Sequence, residues 1–179
     1  MARDNLGAKR EQPKIEPRVE PYTAHFGRQS THNEHTHKGV VYCAGCHAIG
    51  EHKRWALDEN RYKALAMDPA IQTVQCPGCE RAARQEYDGE VTLTSPLIPR
   101  NEEAVLGLIY NTERHIRENN PIARIASLTL EGDTIRILTI TPFLAERIGK
   151  ELHKAYDGTL KLSHPEREEF VRVTWIREE

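Results

Sequence analysis

Apolar positions follow three different rhythms along this chain. Residues 1–38 have almost no periodic apolar pattern and carry Pro13, Pro17 and Pro21 among scattered charges. Such a composition cannot bury enough surface to offset ordering entropy and predicts a disordered polar tail. From Gly39 the texture changes. Val40-Val41-Tyr42 predicts a short strand, and Trp55 to about Met67 a helix with Leu57, Tyr62 and Leu65 buried. Pro69 stops that helix, and Ile71 to Val74 predicts a second short strand.

Residues 90–179 follow a clearer grammar. Glu90 to Thr94 alternates as a strand does. Asn101 can cap a helix on which Val105, Leu108, Ile109, Thr112 and Ile116 recur at helical spacing until Asn119-Asn120-Pro121. Arg124–Leu130 and Thr134–Ile140 predict a hairpin turning at Glu131-Gly132-Asp133. Thr141-Pro142 opens a helix with Leu144, Ile148 and Leu152 as its apolar stripe. Thr159–Leu162 and Phe170–Ile176 predict closing strands. The fold class is therefore α+β. A small module over 39–89 precedes a ferredoxin-like α/β sandwich over 90–179, ordered β-α-β-β-α-β plus one strand.

Charge narrows the partners. The 179 residues carry a formal net charge of −2, which gives no blanket attraction to nucleic acid or anionic membrane. Any RNA contact must come from a local patch. No apolar run approaches a membrane span, and the N-terminus lacks the apolar core of a secretory signal.

The chemistry concentrates in two motifs. Cys43-Ala44-Gly45-Cys46 and Cys76-Pro77-Gly78-Cys79 contain all four cysteines. Glycine before each second cysteine suits a sharp turn that aims two sulfurs at one point. Four thiolates favour one tetrahedral zinc ion, with iron as the competitor. Paired cysteines without others fit a reducing cytoplasm. The residues leave three uses open. A zinc ribbon is a closed structural site, and a module this small needs such a metal to fold. A rubredoxin-like iron centre shares the Cys-Pro-x-Cys knuckle, but this chain has His47-Ala48 and Glu80 where that family has other residues. Thiol redox chemistry expects a knuckle at the start of a helix after a core strand, which the pattern does not predict.

Lys53, Arg54 and Trp55 follow the first knuckle, Arg61, Tyr62 and Lys63 come about two turns later, and Arg81 and Arg84 follow the second. These cations suit phosphates and these rings suit stacked bases. Arginines also compensate thiolate charge, and Trp55 and Tyr62 also suit a small core. Residues 39–89 hold six basic and seven acidic residues, so a basic patch exists only where folding segregates the signs. His32, His35 and His37 sit in the tail as solvated polar residues with an option on a transition metal. The C-terminal part shows no catalytic constellation. His115, His153 and His164 read as solvated, as does the acidic run Glu166, Glu168 and Glu169.

Taken in order, the two Cys-x-x-Cys pairs, Lys53-Arg54-Trp55, Arg81 and Arg84, Tyr87 to Leu93, and Arg172-Val173-Thr174-Trp175 resemble small bacterial proteins grouped with the nonsense-mediated-decay ribosome-export adaptor family. The resemblance spans roughly residues 40–177. It implies a cytoplasmic, zinc-binding protein without enzymatic activity, associated with the ribosome or structured RNA and acting on ribosome stability or mRNA turnover. The adaptor's further cysteine pairs and domains have no counterpart here. The competing expectations are rubredoxin-like electron transfer and a protein–protein adaptor.

Overall fold

A computed structural model describes residues 39–164 and 170–178. The expected disordered tail with its three histidines, and the acidic run at Glu166, Glu168 and Glu169, lie outside the described residues. The described chain is α+β, with two mixed sheets and four helices.

The first sheet holds β1 (Val41–Cys43), β2 (Ala48–Glu51), β3 (Arg54–Leu57) and β4 (Gln72–Val74), in the order β3-β2-β1-β4. The helix expected from Trp55 begins only at α1 (Glu59–Ala66), because Arg54–Leu57 pairs with β2 instead. Two features decide this. His52 and Lys53 both take left-handed φ, 48° and 62°, which closes a tight hairpin without glycine. Trp55 lies opposite Gly50, where a Cβ would come within 3.0 Å of the indole, so the missing side chain makes room for the ring. Asp58 then caps α1 by accepting from the Arg61 N–H at 2.9 Å. No residue of α1 is fully buried, and Leu57, Tyr62 and Leu65 are only half covered. A further helix, α2 (Pro77–Ala83), starts inside the second knuckle.

The second sheet is built from β5 (Gly89–Thr94), β6 (Ile125–Glu131), β7 (Thr134–Thr139), β8 (Thr159–Ser163) and β9 (Val171–Ile176). Helices α3 (Glu102–Asn119) and α4 (Pro142–Tyr156) pack on one of its faces through Val105, Ile109, Leu144, Ile148 and Leu152, all fully buried. The β-α-β-β-α-β order is present, and the sheet order is β6-β7-β5-β9-β8. The additional strand β9 is therefore not an appendix. It lies between the first and fourth strands, parallel to β5 and antiparallel to β8. Trp175 on β9 explains the central position, since its ring is fully buried and its Nε1–H donates to the Asp157 carbonyl at 2.6 Å. Asn101 and Thr141 occupy the expected N-cap positions of α3 and α4, but neither side chain caps its helix.

Candidate metal centre

The turn after β1 and the head of α2 bring the four cysteines together. The sulfurs of Cys43, Cys46, Cys76 and Cys79 all lie within 4.8 Å of one another. Cys43 Sγ is 3.6 Å from Cys79 Sγ, and Cys46 Sγ is 3.4 Å from Cys76 Sγ. Disulfide sulfurs stand about 2.05 Å apart, so these are four free thiols. Metal–sulfur bonds of about 2.3 Å in a tetrahedron require sulfur–sulfur edges of about 3.8 Å. The two short separations lie within about 0.4 Å of that value and all four sulfurs lie within 4.8 Å of one another, so the cluster fits one metal ion held by all four residues. Cys43, Cys76 and Cys79 are buried and Cys46 is partly covered, an arrangement that leaves little room for a substrate at a fifth position.

The local structure explains the knuckles. Cys43 accepts the His47 N–H on its carbonyl at 2.8 Å, which closes the first turn. Cys76 is the N-cap of α2, and its Sγ accepts the Cys79 N–H at 3.4 Å. The second knuckle thus does open a helix, contrary to the expectation from the sequence, because Pro77 at the first helical position is preorganised for it. That placement alone would suit thiol redox chemistry. The convergence of the other pair on the same point makes it half of a four-cysteine cluster that could hold a metal ion. The knuckle glycines also have a different reason from the one expected, since neither Gly45 nor Gly78 adopts positive φ. At Gly78 the cause is close approach, because a Cβ there would lie 2.8 Å from the Ile122 carbonyl oxygen.

That contact points to residues the sequence gave no reason to choose. Arg124, between α3 and β6, is 9% exposed and donates from Nη1 to Cys79 Sγ at 2.5 Å. Burial works against its charge, but the thiolates of Cys79, Cys46 and Cys76 more than offset that and hold the guanidinium firmly protonated. Arg117 on α3 donates to the Cys46 carbonyl at 3.5 Å. Glu113, one turn earlier, accepts the Ile125 N–H at 2.9 Å, and burial pushes its carboxyl above the usual range despite Arg117 and Arg124 nearby. The cations that reach the cluster, Arg117 and Arg124, come from α3 and the turn that follows it. Arg124 stands 45 positions from Cys79 with no local motif to mark it.

The expected cationic and aromatic residues divide into two groups. Arg61 pairs with Glu51 at 2.6 Å, Arg84 with Glu80 at 2.5 Å and Arg81 with Asp88 at 2.7 Å. Arg81 also donates to the Ile140 carbonyl at 3.1 Å, so it ties α2 to the second sheet. Trp55 packs on the cysteine cluster. Tyr62 stacks on His47 with ring centroids 3.9 Å apart and meets Tyr42 edge-on, so one face of its ring is already covered. Lys53, Arg54 and Lys63 are exposed, and among the described residues no carboxylate pairs with them. His115, His153 and His164 are exposed, with His115 beside Glu118 and His164 beside Glu146.

Comparison with known proteins finds no matching family model, no matching curated protein and no matching solved structure. No helix among the described residues is long and apolar enough to cross a membrane.

Proposed function

We propose that this is a non-enzymatic cytoplasmic protein in which one zinc ion clasps a small module, and that the clasped module associates with the ribosome or structured RNA. The observation that carries the zinc assignment is the sulfur cluster itself. Four thiolates closed around one point, with Arg124 against them, suit a structural ion with no free coordination position. Bound there, zinc would fix the two knuckles and leave the chemistry of the sulfurs silent.

Support for the RNA partner is the hairpin turn at His52 and Lys53. Its strands are held through Trp55 on the cysteine cluster, and it carries Lys53 and Arg54 exposed, with no carboxylate paired to them among the described residues. Such cations make sequence-independent phosphate contacts. Arg61, Arg81 and Arg84 are spent on internal ion pairs, so the phosphate-binding set narrows to Lys53, Arg54 and Lys63. The motif series from Cys43 to Trp175 supports the same direction through its resemblance to the ribosome-export adaptor family. Sedimentation of lysate through a sucrose gradient at low salt tests it. The protein is expected in ribosomal fractions and K53E/R54E at the top of the gradient. Wild-type protein found only at the top would refute the association.

A further inference from the structure

Among the described residues the second sheet has helices on one face only, and its strand registers lay out the other face. Glu90, Thr92 and Thr94 point away from the buried Val91 and Leu93. Their cross-strand partners extend the face into three rows of five positions. The middle row runs Thr129, Arg136, Thr92, Thr174 and Lys161, entirely polar and with two cations. Strands about 4.8 Å apart place Arg136 and Lys161 about 14 Å from each other. Arg172 adds a third cation beside Glu90, whose carboxylate lies 3.8 Å from both Arg136 and Arg172. Arg136 and Arg172 are 64% and 58% exposed at their side chains, so this carboxylate holds them loosely. Glu131 at the end of β6 is the other acid. Within the three rows Leu138 and Ile176 are the apolar side chains, and serine and threonine fill most of the rest.

We propose that this sheet face is a second binding surface, and that its ligand is the sugar–phosphate backbone of RNA. The proposal rests on the RNA reading above and adds a site to it. Hydroxyls interleaved with guanidinium and ammonium groups are the side chains that contact phosphate and sugar oxygens. A second copy of this chain is the wrong occupant, because protein interfaces bury an apolar, charge-depleted centre and this face has Arg136 and Thr92 there. The chain's own first 38 residues carry seven basic against five acidic side chains and supply no net counter-charge. No aromatic ring stands in the three rows, and Phe170 at their edge already carries the Arg172 guanidinium 5.2 Å from its ring centroid, so the face holds backbone without reading sequence by stacking.

Binding of a fluorescein-labelled 20-nucleotide RNA to the full-length, zinc-loaded protein tests this, followed by anisotropy across a salt series. Three phosphate contacts contribute about −2 to the slope of log affinity against log salt, and roughly 100-fold in affinity at 0.1 M. R136Q/K161Q/R172Q is expected to lose both amounts. K53Q/R54Q is expected to retain the contribution of the sheet. Glu90→Gln is expected to bind roughly fivefold tighter at 0.1 M, by freeing about one phosphate contact, a gain that no folding defect imitates. Mixed-sequence and oligouridylate RNA should bind alike. Wild-type protein that binds no RNA overturns the RNA reading and this proposal together. Wild-type binding with an unchanged slope in the triple variant overturns the sheet face alone. Binding to phosphatidylglycerol vesicles but not to RNA, lost in the same triple variant, also overturns the proposal, in favour of a membrane.

Discussion

Replacing Arg124 with methionine removes the guanidinium that reaches the sulfur cluster while keeping most of its apolar stem. The side chain is 9% exposed, and its Nη1 lies 2.5 Å from Cys79 Sγ. Removing one partner of a buried charge pair costs about 3–5 kcal/mol, because the other charge stays buried. A bound divalent ion would neutralise half of the thiolate charge, which places the expected effect near the lower end, about 3 kcal/mol. Since the contact exists only when the sulfurs are gathered, that cost falls on metal affinity and on folding alike. It corresponds to roughly a 100-fold loss of zinc affinity. Competition against a chromophoric zinc chelator measures the affinity, and urea denaturation of the zinc-loaded protein measures the stability. Arg124→Lys, which restores a charge without the planar fork, is expected between the two. If Arg124→Met binds zinc within about threefold of wild type (about 0.6 kcal/mol) and unfolds at the same urea concentration, the guanidinium does not compensate the cluster.

Other outcomes follow from single contacts. Gly78→Ala places a methyl 2.8 Å from the Ile122 carbonyl oxygen, a backbone atom that cannot rotate away, and is expected to destabilise the protein by about 1–3 kcal/mol in urea. Trp175→Phe leaves the Asp157 carbonyl without its donor and a gap beside α4, with an expected loss of about 2–4 kcal/mol read in the same way. Burial raises the Glu113 carboxyl above its unfolded value, so its contribution is present below about pH 4.3 and is lost as pH rises through the folded value. Glu113→Gln is therefore expected to match wild type in acid and to exceed its thermal midpoint near neutrality. Equal midpoints at both pH values would contradict the shift. Cys46→Ser is expected to abolish stoichiometric metal binding while the circular dichroism of the second sheet and its helices persists.

Where one face of a long element is buried, the sequence made the structure legible. Val105, Ile109, Thr112 and Ile116 on α3, and Leu144, Ile148 and Leu152 on α4, recur at helical spacing and are buried there. The β6–β7 hairpin was equally readable from Gly132, which takes φ of 61° at its turn. Two cysteine pairs announced the cluster. The small sheet was less readable because its strands have three or four residues, too few for alternation to declare itself. There Trp55 joined a strand because Gly50 opposite it makes room and because His52 and Lys53 accept a left-handed turn. The place of β9 in the sheet and the role of Arg124 are long-range facts. Pairing of Leu93 with Trp175, and of Cys79 with Arg124, joins distant segments whose local sequences are silent about each other.

Metal content of the native protein tests the central claim most directly. Protein purified under reducing conditions without added metal, then measured by elemental analysis and native mass spectrometry, is expected to be colourless with one zinc ion per chain. Titrating the four thiols with a mercurial should release that ion. Protein that carries no metal, or that is red with one iron per chain, would contradict the zinc clasp on which the rest of the account is built.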